Sequence, residues 1–339
     1  MPNQVRKSGT TPPGTSQTPG VLSRVAKLFT KRAAAVGIMA AVAATQSGCL
    51  SKLILNGTIA STRKGSAALN TVPDFDIAQS AAFAGIAQLE GYHYLAPDND
   101  NALFLLTRSW TSVAAGFIED KMETVEDEQG STSGEYDYQK RRAVAAYERA
   151  IWYGSHLLEH SHEGLAEAIK GSDNLREWLR QFDDPEVDAE NLFWVGYAYL
   201  GRAGAAGTGV PVAELWIGVA MLERSVELDD TYGYGLGHTA LGAYHVRSGM
   251  AEPEEGKAHF DKALQLSDGK TLLPKVQFAI RYYCLKGDKE NYEKLLNQVM
   301  DAGDGDPYQR LPNTIAKRKA KRWLAPKRMK GCDWKAQGS

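Results

Sequence analysis

Apolar residues recur along this chain at the spacing of a helix face and almost nowhere at the spacing of a strand. Leu103, Leu106, Trp110, Val113 and Phe117 form one stripe, three or four residues apart. Tyr292, Leu295, Leu296 and Val299 form another, with Asp288 ahead of them as an N-cap. Valine and isoleucine never alternate with polar residues between turn signals, so no strand is expected. Polar and turn-forming stretches separate the stripes. They are Pro97-Asp98-Asn99, a loop from Gln129 to Gly134, a glycine-rich loop from Gly201 to Pro211 and a connection from Gly249 to Glu255. The pattern predicts an all-α fold.

The helices repeat a phrase. Tyr147-Glu-Arg-Ala150, Leu222-Glu-Arg-Ser225 and Phe260-Asp-Lys-Ala263 are variants of it, and Ser225 and Ala263 stand 38 residues apart. A period in the thirties signals stacked helical hairpins. A large residue three positions before a small one sets a knob beside a hole on one face, so another helix can approach closely. Matching first helices read Leu192-x-x-Val195-Gly196-x-x-Tyr199 and His238-x-x-Leu241-Gly242-x-x-His245. These resemble the tetratricopeptide repeat, but the linkers are longer and the turn proline is mostly missing. The expectation is an irregular tetratricopeptide-like helical-hairpin bundle.

The leader changes the charge. The first 48 residues hold no Asp or Glu and six basic residues. An alanine-rich run from Ala33 to Ala44 follows the basic residues and leads to Gln46-Ser47-Gly48-Cys49. This order is that of a secretory signal, too short to span ~30 Å of hydrocarbon at ~1.5 Å per residue. Its Gly-Cys end resembles a bacterial lipoprotein signal, which implies Cys49 as the lipidated first residue; the other readings are an ordinary cleaved signal or a buried alanine-rich helix, with Cys49 inert. Leu50 after Cys49 implies, by analogy, the inner leaflet of the outer membrane. Without the leader, 33 basic residues face 41 acidic ones, a net charge of −8. That balance does not favour nucleic acid.

The cysteines are Cys49, Cys284 and Cys332, too few for a disulfide scaffold. A bond between Cys284 and Cys332 is permitted but not implied. Cys284, in the run Tyr282-Tyr283-Cys284-Leu285, is expected to be a small buried hydrophobe. The expected organisation is a signal over 1–48, an acylated N-terminus and tether over 49–72, a helical domain over 73–325 and a basic tail over 326–339.

Taken in order, the features from about Phe75 to Leu324 resemble the T-component lipoproteins of tripartite ATP-independent periplasmic (TRAP) transporters. The resemblance rests on Ala96-Pro-Asp-Asn99, Phe117-Ile-Glu-Asp120, Tyr147-Glu-Arg-Ala150 and Leu192-Phe-Trp194. It continues through Leu222 to Asp230, Tyr232-Gly-Tyr-Gly235, Ala258-His-Phe-Asp-Lys-Ala-Leu264 and the basic run Ala316 to Arg322. It implies a periplasmic lipoprotein that forms a homo-oligomer, docks the transporter's periplasmic substrate-binding protein and offers a cavity to small organic anions. It implies no catalysis and no cofactor. A generic tetratricopeptide-like envelope scaffold without a transporter is the second reading.

Candidate chemistry is sparse. His156, His160 and His162 have the spacing of a metal pair plus one, but the segment reads as a helix end, where imidazoles suit the dipole. No metal is expected there; a metal-dependent hydrolase built on His156 is the third hypothesis. Gly233-x-Gly235-x-Gly237 follows no strand and is not a dinucleotide loop. Trp110, Trp194, Tyr197, Tyr199, Tyr234, His238, Tyr244 and His245 are candidates for a ligand or partner groove, against the plainer reading of packed core. Lys317, Arg318, Lys319, Lys321 and Arg322 are either a solvated helix end or a contact for anionic lipid or an acidic partner. Glu119 to Glu128 is expected to be a solvated face.

Overall fold

Tyr147, Leu222 and Phe260, the large residues that open the repeated phrase, each lie over a glycine of a neighbouring helix. A Cβ on Gly201 would come within 2.2 Å of the Tyr147 ring, one on Gly196 within 2.8 Å of Leu222, and one on Gly242 within 3.1 Å of the Phe260 ring. All three knobs are buried, as are the small residues Ala150, Ser225 and Ala263 beside them. The Ser225 hydroxyl donates to the Ala189 carbonyl at 2.7 Å, so this small polar residue is satisfied inside the contact.

The computed structural model describes residues 50–247 and 252–334. The signal and Cys49 lie outside the described residues. The chain divides into two compact units, 1–54 and 55–339. Of the first, residues 50–54 are described, and they are helical.

Helices follow one another as α1 (residues 50–65), α2 (Phe75–Leu95), α3 (Asp100–Val113), α4 (Glu119–Gln129), α5 (Gly134–Ser161), α6 (Leu165–Ala168) and α7 (Ser172–Leu179). Then come α8 (Asp188–Ala206), α9 (Val210–Ala213), α10 (Leu215–Leu228), α11 (Tyr232–Arg247) and α12 (Pro253–Ser267). The chain continues through α13 (Leu273–Gln277), α14 (Cys284–Lys286), α15 (Lys289–Asp301), α16 (Arg310–Trp323) and α17 (Pro326–Met329). Two π-helical segments, Ala114–Ile118 and Phe278–Tyr283, join α3 to α4 and α13 to α14. The fold is all-α, with no strand among the described residues. None of the described helices is long and apolar enough to cross a membrane.

Packing runs in chain order: α2 on α3, α3 on α5, α5 on α8, α8 on α10, α10 on α11, and α11 on α12. Two of these contacts bring backbones together. Gly196 faces Gly218 between α8 and α10, and Gly242 faces Gly256 between α11 and α12; each Cβ would lie 2.7 to 3.1 Å from the opposite carbonyl oxygen. Side-chain caps fix four helix starts. Asp74, Asn99, Ser133 and Asp288 accept from Ile77, Ala102, Tyr136 and Asn291 respectively, each bond typically worth ~1 kcal/mol.

Helix α11 opens with Gly233, Tyr234 and Gly235 all left-handed, at φ 57°, 64° and 82°. Glycine adopts this region freely, whereas Tyr234 needs support. Its hydroxyl donates to Asp306 at 2.5 Å, and Lys270 lies 5.6 Å from its ring centre.

Three expectations from the sequence are corrected. Residues 50–71 are not a tether but helix α1 and a 3-10 turn over Ser66–Thr71. Ile59 is fully buried, Asn56 accepts from Asn99, and Arg63 pairs with Glu190. The glycine-rich stretch is helical through Ala206, where Gly201 and Gly204 are contact points for Tyr147 and Arg247, and it turns only at Gly207 and Gly209. Cys284 is not a lone hydrophobe: it is bonded to Cys332, with Cα atoms 5.0 Å apart. Of the basic tail, residues 326–334 pack on the domain, since Arg328 pairs with Glu126 and Asp127 and Trp334 packs edge-on to Tyr292.

Candidate functional site

A cavity of about 490 Å³ lies where α4, α5, α8, α11, the second π segment and α16 converge. Its wall mixes apolar surface with Glu119, Tyr147, Tyr197, Tyr244, Arg247, Gln277, Arg281, Lys319 and Trp323. The volume falls within the range of small-molecule sites. The two π segments position key charges. One ends immediately before Glu119, and the other carries Arg281. An extra residue in a helical turn redirects the side chains that follow it, and such turns are frequent at functional sites.

Glu119 accepts from the Tyr147 hydroxyl at 2.6 Å. Burial pushes its carboxyl up, against the opposing pull of Lys319 and of this hydrogen bond. Burial and then Glu119 drive Tyr147 well above the ordinary phenol value and Tyr197 up to about 12. Gly201 is what leaves room for the Tyr147 ring.

Positive charge on the wall is less well matched. Arg247 and Arg281 form no ion pair among the described residues. Burial lowers the pKa of Arg247, and repulsion from Arg281 lowers it further, with Glu119 opposing both. Buried polar atoms on the wall, among them Arg281 Nε, Gln277 Oε1 and Trp323 Nε1, also lack a hydrogen-bond partner among the described residues. Polar groups held in this way leave donors, an acceptor and positive charge for a polar, anionic ligand.

The basic run of α16 does not face outward as a docking patch. Arg318 and Arg322 both hold Asp120 at 2.8 Å, Lys319 holds Glu123 at 3.0 Å, and Arg322 also reaches Glu123 at 2.8 Å. Lys317 donates to the Ala302 carbonyl. Lys321 is exposed. The expected acidic partner is thus this chain's own helix α4, and the face expected to be solvated, Glu119 to Glu128, is largely an internal contact. Burial alone would raise Glu123, but Lys319 and Arg322 outweigh it and hold the carboxyl at about 2.

The eight groove candidates separate. Tyr197 and Tyr244 line the cavity. Trp110 donates to Glu90 at 2.8 Å and Trp194 to Tyr232 at 2.9 Å, both away from the cavity. Tyr199 is buried core, and Tyr234 props the left-handed turn that opens α11. His238 and His245 instead meet His259, a histidine not singled out from the sequence. His238 and His259 face each other through their Nδ1 atoms at 2.8 Å, and the rings of His245 and His259 stack at 5.4 Å. Burial, then the neighbouring imidazoles, lower His259 to about 4. Arg281, also missed, did leave a signal as the lone charge in the apolar run Phe278 to Leu285.

The His156 cluster does not converge. His156 bonds the Trp152 carbonyl, His160 lies 3.0 Å from Asp100, and His162 packs on Phe182.

Among sequence families, the model of the TRAP transporter T-component matches residues 71–329. No curated protein matches the chain.

Proposed function

The chain belongs to the TRAP transporter T-component family, and from that premise we propose that it is a lipid-anchored periplasmic accessory that docks the transporter's substrate-binding protein and admits a small organic acid to its cavity. Its work on this reading is binding and positioning rather than turnover. Cys49 carries the acyl anchor, on the outer membrane's inner leaflet, and copies of the chain associate as a homo-oligomer. Leu50, Leu53 and Ile54, directly after Cys49, form an exposed apolar stripe on α1 that suits a membrane-adjacent segment.

The observation that carries the ligand reading is Arg281, in no ion pair among the described residues and with its Nε buried on the wall of a cavity of about 490 Å³. Its Nε is left without a hydrogen-bond partner there, and Arg247 beside it adds repulsion. A carboxylate relieves both costs at once by accepting charge-assisted hydrogen bonds. Tyr147, Tyr197 and Tyr244 supply rings with polar tips around it.

Calorimetric titration with a panel of short mono- and dicarboxylates, against their neutral amides, tests this reading. At least one acid binds and its amide does not, and Arg281→Gln weakens binding at least ~10-fold. Equal affinity for acid and amide, or an unchanged affinity in Arg281→Gln, contradicts it.

A further inference from the structure

Helices α11 and α12 form an antiparallel pair whose facing sides carry three of the chain's seven histidines. His238 and His245 stand two turns apart on α11, while Glu255 and His259 stand one turn apart on α12. One ligand atom from each of His245, Glu255 and His259 lies within 4.8 Å of the others. His245 Nε2 is 3.4 Å from the Glu255 carboxylate, and its Nδ1 is 3.7 Å from Glu252. His238 Nε2 is buried with no hydrogen-bond partner, while its Nδ1 faces the Nδ1 of His259.

From this geometry we propose that His245, Glu255 and His259 bind a divalent transition metal of the zinc class, with His238 orienting His259. Two imidazoles and a carboxylate suit such an ion, and they do not suit calcium or magnesium, which prefer all-oxygen shells. Ligands at about 2.0–2.2 Å from a tetrahedral ion stand roughly 3.3 Å apart. The backbones of α11 and α12 already meet at Gly242 and Gly256, so on this reading the side chains make the remaining approach. The Nδ1 contact between His238 and His259 places an imidazole directly behind a ligand imidazole, the position of an orienting partner. A bound ion would cross-link the hairpin beside Tyr244, whose ring meets His245 at 5.1 Å and also lines the cavity. The site rests on different residues from the carboxylate reading, so either stands if the other fails.

The test uses the full chain carrying a non-histidine tag, stripped with a chelator and titrated with Zn²⁺ at pH 7 against a chromogenic competitor. Co²⁺ absorption reports the coordination. One ion per chain is expected, with a Kd below about 1 µM and tetrahedral Co²⁺ bands. Glu255→Gln and His259→Gln should each weaken binding at least ~10-fold while circular dichroism stays native, and His238→Gln should weaken it less. His160→Ala, in the other histidine cluster, should leave it unchanged. Absence of stoichiometric binding overturns the proposal. So does an affinity that both Glu255→Gln and His259→Gln leave intact, or one that falls in His160→Ala. Should His259→Gln unfold, Glu255→Gln alone decides.

Discussion

Arg322 Nη2 and Asp120 Oδ1 stand 2.8 Å apart although 202 residues separate them in the chain. Arg318 joins the same carboxylate, and its guanidinium covers the Phe75 ring at 3.8 Å. The last long helix is thereby fastened to α4, and the cavity gains its wall at Lys319 and Trp323. Asp120 is 8 % exposed, so its loss leaves two arginines without their shared carboxylate. Asp120→Asn is expected to cost about 2–4 kcal/mol in urea unfolding, near the range for breaking a buried ion pair from one side. A loss below ~1 kcal/mol would place this pair among ordinary surface bridges.

Acid should expose the same contact. Glu123 is held at about 2, below its ordinary 4.5. A carboxylate lowered on folding contributes fully above its unfolded value, and that contribution disappears as pH falls from about 4.5 towards 2. Glu123→Gln should therefore be less stable at pH 7 and show a flatter acid limb. Glu119 has the opposite sign, because burial raises it. Its contribution is fully present below its unfolded pKa and falls as pH rises through the folded value, so Glu119→Gln should flatten the decline on the rising-pH side and leave the acid limb of Glu123 in place. Stability measured against pH in wild type and both variants checks the two signs together.

The glycine contacts give a paired prediction. At Gly218 an added Cβ would lie 2.4 Å from Tyr199 Cβ and 2.8 Å from the Gly196 carbonyl, so Gly218→Ala must push α8 and α10 apart. The expected cost is about 1–3 kcal/mol. Gly85, inside α2, has nothing within 4 Å of its would-be Cβ. Gly85→Ala should stabilise the protein by about 0.5–1 kcal/mol. Thermal melts of the two variants should move in opposite directions.

The Cys284–Cys332 bond closes a segment with a sequence separation of 48. Constraining a loop of that length stabilises by about 2–4 kcal/mol. Cys332→Ser, or reduction of the wild type, should lower Tm by several degrees and release α17 and Trp334 first, since the bond ties that end to α14. Hydrogen exchange over residues 326–334 is the readout; protection there that ignores reduction would contradict it.

Local pattern carried most of the architecture. Helical stripes, the cap at Asp288 and the knob-and-hole phrase are properties of residues three or four apart, so they can be read along the chain. The same holds for the family resemblance, whose expected span of about Phe75 to Leu324 lies within the matched 71–329. The site was less legible because its parts are distant in sequence. Glu119 and Arg281 reach the cavity through π turns, which leave no local signature, and the basic run of α16 finds its acids some 200 positions earlier. Segment 50–71 looked like a tether because small and polar residues break up its apolar pattern, yet Ile59 is fully buried and Leu55 packs on the same cluster. The aromatic candidates were scattered for a related reason. Residue type predicts that a Trp or Tyr will be partly buried with its polar tip bonded, as Trp110 and Trp194 are, but not which interior space it borders.

The account turns on association with the transporter. Native mass spectrometry of the purified chain mixed with its transporter's substrate-binding protein, loaded with the organic acid, measures that directly. The account predicts a defined complex of the two proteins at micromolar concentration, with the acid retained in wild type and depleted in Arg281→Gln. Two proteins that stay separate at every ratio tested would contradict it.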